Sequence, residues 1–299
     1  MRRTVTQGGA THGGATQGGA AMIVALLAVA MATLLATRLV ERTDATLGYI
    51  DGRNLHAQAV ELTRGGVDYA RAVLFEDQRR TVTDHTSEPW ATPLPPVEAS
   101  AGHLTARLSG RIEDQQGHFN LNNLRNTAGA LDTAALTVFR RLLGQLSLDV
   151  RLADRLGQHL VANGPLGELA ALADVPDVDA ATIARLQPYV AALPGTQALN
   201  VNTAPAPVLM AALPQLDAGT AQQLVARRES LPFRDLADFR GAVSSRLLDS
   251  DLTIPMDIRS RFFLVRVDAT IGRAAVRQEA LLDREATARW PRVLWRHDQ

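Results

Sequence analysis

Apolar positions change their spacing several times along this chain, and each change marks a different kind of element. Residues 1–19 are polar and Gly-rich, and they meet an uncharged run from Ala20 to Thr37. The run has no Pro or Gly, and at ~1.5 Å per residue a helix over it covers about 27 Å, enough to cross a hydrocarbon core once. Beyond it, Leu55, Ala59, Leu62, Gly66, Tyr69, Ala70 and Val73 step by three and four, so the pattern predicts one stripe of an amphipathic helix reaching to about Gln78. Continuous from Ala20, such a helix measures roughly 90 Å. Gly48, Gly52, Gly65 and Gly66 weaken it and favour a bend.

A Pro-rich stretch, Pro89 to Pro96, ends the helical region. Strict alternation then predicts one or two strands over 103–114, a strand over Phe262–Thr270, its hairpin partner over Ala275–Leu282, and a last edge strand at Val293–Trp295. Between these β regions, Thr133 to Leu252 reads as almost wholly helical. It contains a repeat at an offset of 38, with Val175–Ile183 matching Leu213–Ala221. Each copy runs apolar residue, Pro, turn, then an Asp that can cap a helix. Pro165–Leu169 and Pro232–Leu236 read as the helix starts that complete each unit. A β region interrupted by helices implies an insertion. The expected class is α+β: a long N-terminal helix on a small antiparallel sheet, with a large all-α insertion holding two helix-hairpin-helix-like units. The expected boundaries are 1–19 for the leader, 20–78 for the helix (20–37 transmembrane), 79–125 with 255–299 for the sheet domain, and 126–254 for the insertion.

Charge narrows the function. The 31 Arg and 31 acidic residues cancel, which argues against binding nucleic acid through bulk charge. Lys is absent, which excludes a Schiff base or P-loop lysine, and absent Cys excludes thiolate metal sites and disulfides. The seven histidines are scattered without metal-ligand spacing, and no nucleophile elbow or HExxH occurs, so no enzyme is read here. Asp283 and Glu285, among arginines, are expected to be solvated.

The hairpin repeat resembles the helix-hairpin-helix module, which grips DNA phosphates through glycines flanking its turn. Here those positions hold Asp177 and Asp179, or Gln215 and Asp217, and carboxylates repel phosphate. Asn120, Asn122 and Asn123, anchored by Phe119, Leu121 and Leu124, are expected to bond nearby backbone or adopt left-handed turns, and Asn200 and Asn202 likewise.

The order of the motifs resembles the K-type minor pseudopilins of the type II secretion system, the general secretion pathway protein K family. Four features carry the resemblance: the junction Gly19-Ala20; Asp114 to Leu124, with Gly117, Phe119 and the asparagines; Leu199 to Ala204, with Asn200, Asn202 and Thr203; and the Phe262-Phe263 strand. It implies cleavage by prepilin peptidase between Gly19 and Ala20, N-methylation, and one pass through the inner membrane with the C-terminal domain in the periplasm. It also implies assembly with I-type and J-type partners at the pseudopilus tip, above an H-type or major pseudopilin and fed by the inner-membrane assembly platform, supporting export of folded proteins. Val24 stands where most pseudopilins carry Glu, and a subunit without that carboxylate is disfavoured in a filament interior. The insertion would clash with a subunit stacked above, so the chain is expected to cap. No cofactor is expected, although calcium is possible from the resemblance, with Asp249 and Asp251 as weak candidates and Glu113-Asp114 weaker. Three alternatives stay open: an uncleaved signal anchor, a membrane-tethered helix-hairpin-helix DNA-binding protein of competence type, and an anchored periplasmic enzyme.

Overall fold

The computed structural model describes residues 31, 52–101, 104–243, 253–285 and 289–298. The leader and the apolar run, apart from Met31, lie outside the described residues, among them Gly19, Ala20 and Val24, as do Asp249 and Asp251. Among the described residues no helix is long and apolar enough to cross a membrane. Two compact units divide the chain, Met1–Leu55 and His56–Gln299, and the architecture that follows belongs to the second.

The first described helix, α1, covers 52–80. Its buried stripe is Ala59, Thr63, Val67, Ala70 and Leu74, rotated from the expected one: Tyr69 is 57% exposed and Leu62 only half-buried. Gly66 explains the rotation. A Cβ there would come within 2.7 Å of a Val267 methyl, so the glycine lets a strand approach the helix closely. Full burial of a side chain such as Leu74 contributes roughly 1.5–3 kcal/mol.

That stripe packs on one face of an antiparallel five-stranded sheet ordered β1-β2-β7-β8-β9. The strands are β1 (Leu94–Ala101), β2 (Leu104–Asp114), β7 (Phe262–Ile271), β8 (Ala274–Asp283) and β9 (Arg292–Asp298). Alternation along β7 turns Phe263, Val265 and Val267 onto α1, where Trp90 meets Phe263 edge-on at 5.2 Å. The Pro-rich stretch was expected only to break structure, yet its end enters β1. Pro95 and Pro96 sit in an edge strand, where register shifts between Leu94 and Val97 and a missing N–H is tolerated.

β2 and β7 are neighbours, with Asp114 opposite Phe263, and residues 115–261 connect them. This connection holds β3 (Phe119–Asn120), α2 (Thr133–Gln145), α3 (Leu152–Asn163), α4 (Ala180–Leu186), β4 (Val190–Ala191), β5 (Leu199–Asn200), α5 (Ala206–Ala212), α6 (Ala218–Ser230), α7 (Leu236–Val243) and β6 (Met256–Asp257). It is less purely helical than expected, because two short parallel pairings, β3 with β4 and β5 with β6, stitch it together. Leu169–Asp174 is a 3-10 turn where an α-helix was expected. A separate apolar core fills the block, built on Phe119, Phe139, Leu142, Leu156, Leu209 and Phe233, with Phe119 and Phe139 stacked at 5.5 Å.

Candidate functional site

Where the chain leaves and re-enters the sheet, the asparagine motifs converge. Asn122 donates from Nδ2 to the carbonyls of Leu166 and Leu193, both at 2.9 Å, and its Oδ1 accepts from the Leu166 N–H at 2.8 Å. Asn123 pairs both ways with Gln197, at 2.8 and 2.9 Å, and Asn202 both ways with Phe233, at 3.0 and 2.8 Å. Asn120 accepts from Leu193 N–H and donates to the Gly195 carbonyl and to Asn123. Each side-chain amide imitates a peptide unit and staples a distant segment to the motif. The expectation of local bonds was therefore incomplete. Asn120 and Asn200 do accept from the N–H two residues on, and Asn120 donates to Asn123, but the rest of their bonds are long-range, and no asparagine is left-handed among the described residues.

Next to these neutral staples lies a charged group. Asp114, at the end of β2, is buried and accepts from Asn200 at 3.0 Å, Thr203 at 2.5 Å, Ser260 at 2.7 Å and Gln116 N–H at 2.8 Å. Gly117 allows this convergence, since a Cβ there would lie 2.7 Å from the Thr203 hydroxyl. Asn200 also donates to Ser260 and to the Asp84 carbonyl. Arg284, only 6% exposed, donates to Asp77 at 2.8 Å and to both oxygens of Asp84 at 2.5 and 2.6 Å. Glu88 accepts from Trp90 Nε1 at 2.8 Å and from His85 N–H at 2.9 Å.

One carboxylate oxygen from each of Asp77, Asp84 and Glu88 lies within 4.8 Å of the others. Arg284 already bridges two of the three, so a guanidinium takes the place a cation would need. Burial, and then the neighbouring Glu88, push Asp77 up to about 7. Burial also raises Asp84 and lifts Asp114 to about 6, against the lowering effect of the Thr203 and Ser260 hydroxyls.

Other expected residues fall elsewhere. Glu113 and Asp114, adjacent in sequence, serve different partners: Glu113 holds Arg111 and Arg266, while Asp114 faces Asn200. They do not converge as metal ligands. Asp283 is buried, contrary to expectation, with Arg261 at 2.5 and 2.8 Å and Arg292 at 2.8 Å, and those hydrogen bonds hold it below the usual range against burial. Asp179 and Asp217 cap α4 and α6 as expected, accepting from Thr182 and Thr220 N–H at 2.7 and 2.8 Å. Asp177 adopts φ 62°, the left-handed slot that glycine would fill. Asp77, Asp84, Glu88, Ser260 and Arg284 carried no sequence signal, since Arg284 lies 207 residues from Asp77 and 200 from Asp84.

Comparison with known proteins places this geometry. A family model described as type II secretion system (T2SS), protein K matches residues 199–254, which begin at β5 and include Asn200, Asn202 and Thr203. Type II secretion system protein K of Pseudomonas aeruginosa is 32% identical over 249 residues, covering 72% of this chain and 73% of that protein. The Klebsiella pneumoniae protein of the same description is 27% identical over 290 residues, covering 84% and 85%. A chain in the crystal structure of the GspK-GspI-GspJ complex from the enterotoxigenic Escherichia coli type 2 secretion system shares the fold, with a TM-score of 0.69 at 20% identity over 84% of this chain and 99% of that one.

Proposed function

Because this chain belongs to the type II secretion system protein K family, we propose that it is a minor pseudopilin that caps the periplasmic pseudopilus and supports export of folded proteins. It is a structural assembly subunit rather than an enzyme. Its partners are I-type and J-type minor pseudopilins beside it, an H-type or major pseudopilin below, and the inner-membrane assembly platform. Prepilin peptidase cuts between Gly19 and Ala20, the new terminus is methylated, and Ala20–Thr37 crosses the inner membrane once, leaving the domain of α1 and the sheet in the periplasm. Val24 in place of the usual Glu disfavours a position inside the filament.

The observation that carries the capping reading is the long connection, 115–261, between two adjacent strands. A helical block with its own core, seated where the strands leave the sheet, adds bulk that a continuing stack has to avoid. The DNA-binding alternative has no support from the relatives and meets a physical obstacle. Asp179 and Asp217 are held as carboxylates by the Thr182 and Thr220 bonds at the helix starts where phosphate would approach, so the hairpins repel it.

Mass spectrometry of the membrane-extracted N-terminus, with prepilin peptidase co-expressed, tests the reading. A terminus at methylated Ala20, lost in Gly19→Val, together with co-purification of the I-type and J-type partners, is the expected result. An intact leader despite an active peptidase overturns it.

A further inference from the structure

The turn that joins α2 to α3 is fixed in shape and carries an excess of positive charge. Ser147 takes φ 53° and the Leu148 N–H reaches back to the Leu143 carbonyl at 2.9 Å, a Schellman stop that sets where the chain leaves α2. Asp149 accepts from the Arg151 N–H at 3.0 Å, which sets the start of α3. Four arginines surround this turn. Arg140 pairs with Asp154, Arg151 and Arg155 share Asp149 at 3.2 and 3.4 Å, and Arg185, reaching over from α4, spends its bond on the neutral carbonyl of Leu146.

Among the described residues, the carboxylates of Asp149 and Asp154 thus answer the guanidiniums of Arg140, Arg151, Arg155 and Arg185. Both bonds to Asp149 exceed the roughly 2.7–2.9 Å of a full charge-assisted pair, and the Arg151 side chain is 82% exposed. Exposed pairs add little to stability, so stability does not account for Arg140 and Arg151. The chain as a whole is neutral, 31 basic against 31 acidic residues, which makes this excess a local feature rather than a share of a basic surface. Val150, between Asp149 and Arg151, is 47% exposed and sets an apolar contact beside the charges.

We propose that this turn is a docking surface for an acidic, partly apolar segment of another polypeptide, whose carboxylates complete the charge left unmet on Arg140, Arg151, Arg155 and Arg185 while an aliphatic side chain covers Val150. Arginine suits that occupant, because its planar fork takes a carboxylate through two parallel bonds. Duplex DNA is the poorer match, since a neutral chain supplies no bulk field to hold it. The inference stands on the patch alone and does not need the assembly role.

The test titrates the full-length chain, in micelles of a neutral detergent, into dye-labelled capped peptides of Glu and Leu, into the same peptides with Gln for Glu, and into duplex DNA of matched charge. Fluorescence anisotropy should report binding of the Glu peptides alone, falling as salt is raised and weakened about tenfold by Arg151→Glu. That variant sets an acid at the start of α3, where the helix dipole favours it, so its thermal midpoint is expected to match the wild type. Val150→Asp, on an exposed side chain, should weaken the same peptides, whereas Arg234→Glu, 85% exposed between α6 and α7, should leave them bound as before. Binding of neither peptide or of both equally, wild-type affinity in Arg151→Glu and Val150→Asp, an equal loss in Arg234→Glu, or tighter binding of the DNA overturns the proposal.

Discussion

Two polar networks are buried side by side at the junction of sheet and helical block, and they solve the same problem differently. The staples of Asn120, Asn122, Asn123 and Asn202 are neutral, and their amides meet backbone groups that would otherwise be orphaned. The group of Asp77, Asp84, Glu88 and Asp114 buries four acids with one guanidinium, Arg284, which bonds Asp77 and Asp84. Neutral amides cost little to bury once paired, and their worth does not change with pH. Buried carboxylates that outnumber their cation relieve the excess by holding protons. The first network specifies which segments meet, and the second makes the strength of their meeting depend on acidity.

The strongest way to break this contrast is Arg284→Met, which leaves Asp77 and Asp84 without their cation. Loss of about 3–5 kcal/mol is expected at pH 7.5, the usual cost of stranding a buried charge. Urea unfolding at pH 5 should show a much smaller loss, because protonated carboxyls no longer need the guanidinium. Equal losses at both pH values would sink the idea that the acids hold protons. Asn122→Ala comes next. It strands the Leu166 N–H and the carbonyls of Leu166 and Leu193, so a loss of about 2–4 kcal/mol is expected. Here the loss should be the same at both pH values, and a pH-dependent loss would erase the distinction between the networks.

Local periodicity made much of this molecule legible. The alternation in β2, β7 and β8 and the capping aspartates at 179 and 217 depend on residues a few positions apart, and each was readable from the chain. The asparagine motifs were visible as motifs, but their distant partners lie 31 to 116 residues away and follow no spacing rule. The charged network was hidden for the same reason, being assembled from α1, the loop after it, the end of β2 and the residue following β8. On α1 the stripe was misplaced by its aromatic. Tyr69 looked like core but is exposed, whereas Thr63, a weak hydrophobic signal, is buried; Gly66, already counted in the stripe, sits so close to β7 that a Cβ would meet Val267.

The subtlest difference between the networks should appear in Asp77→Asn. Between the ordinary carboxyl value of 3.8 and about 7, folded Asp77 keeps a proton that the unfolded chain has released. Stability from this group is therefore full below that ordinary value and is lost as pH rises through about 7. Asp114 adds a parallel loss through about 6. Glu113 and Asp283, held low by their arginines, act in the opposite sense, since their contribution is lost only as pH falls below the ordinary carboxyl range. The wild-type thermal midpoint should thus decline from pH 5 to pH 7.5. Asp77→Asn keeps a neutral acceptor for Arg284, whose other partner Asp84 remains, so little change is expected at pH 5. By pH 7.5 the variant should have escaped about half of the decline, leaving the share due to Asp114 and Asp84. A decline as steep in the variant as in the wild type would move the proton to Asp84 or Asp114. No decline in either would mean that Arg284 neutralises the cluster outright, so that the charged network is as indifferent to pH as the asparagine staples beside it.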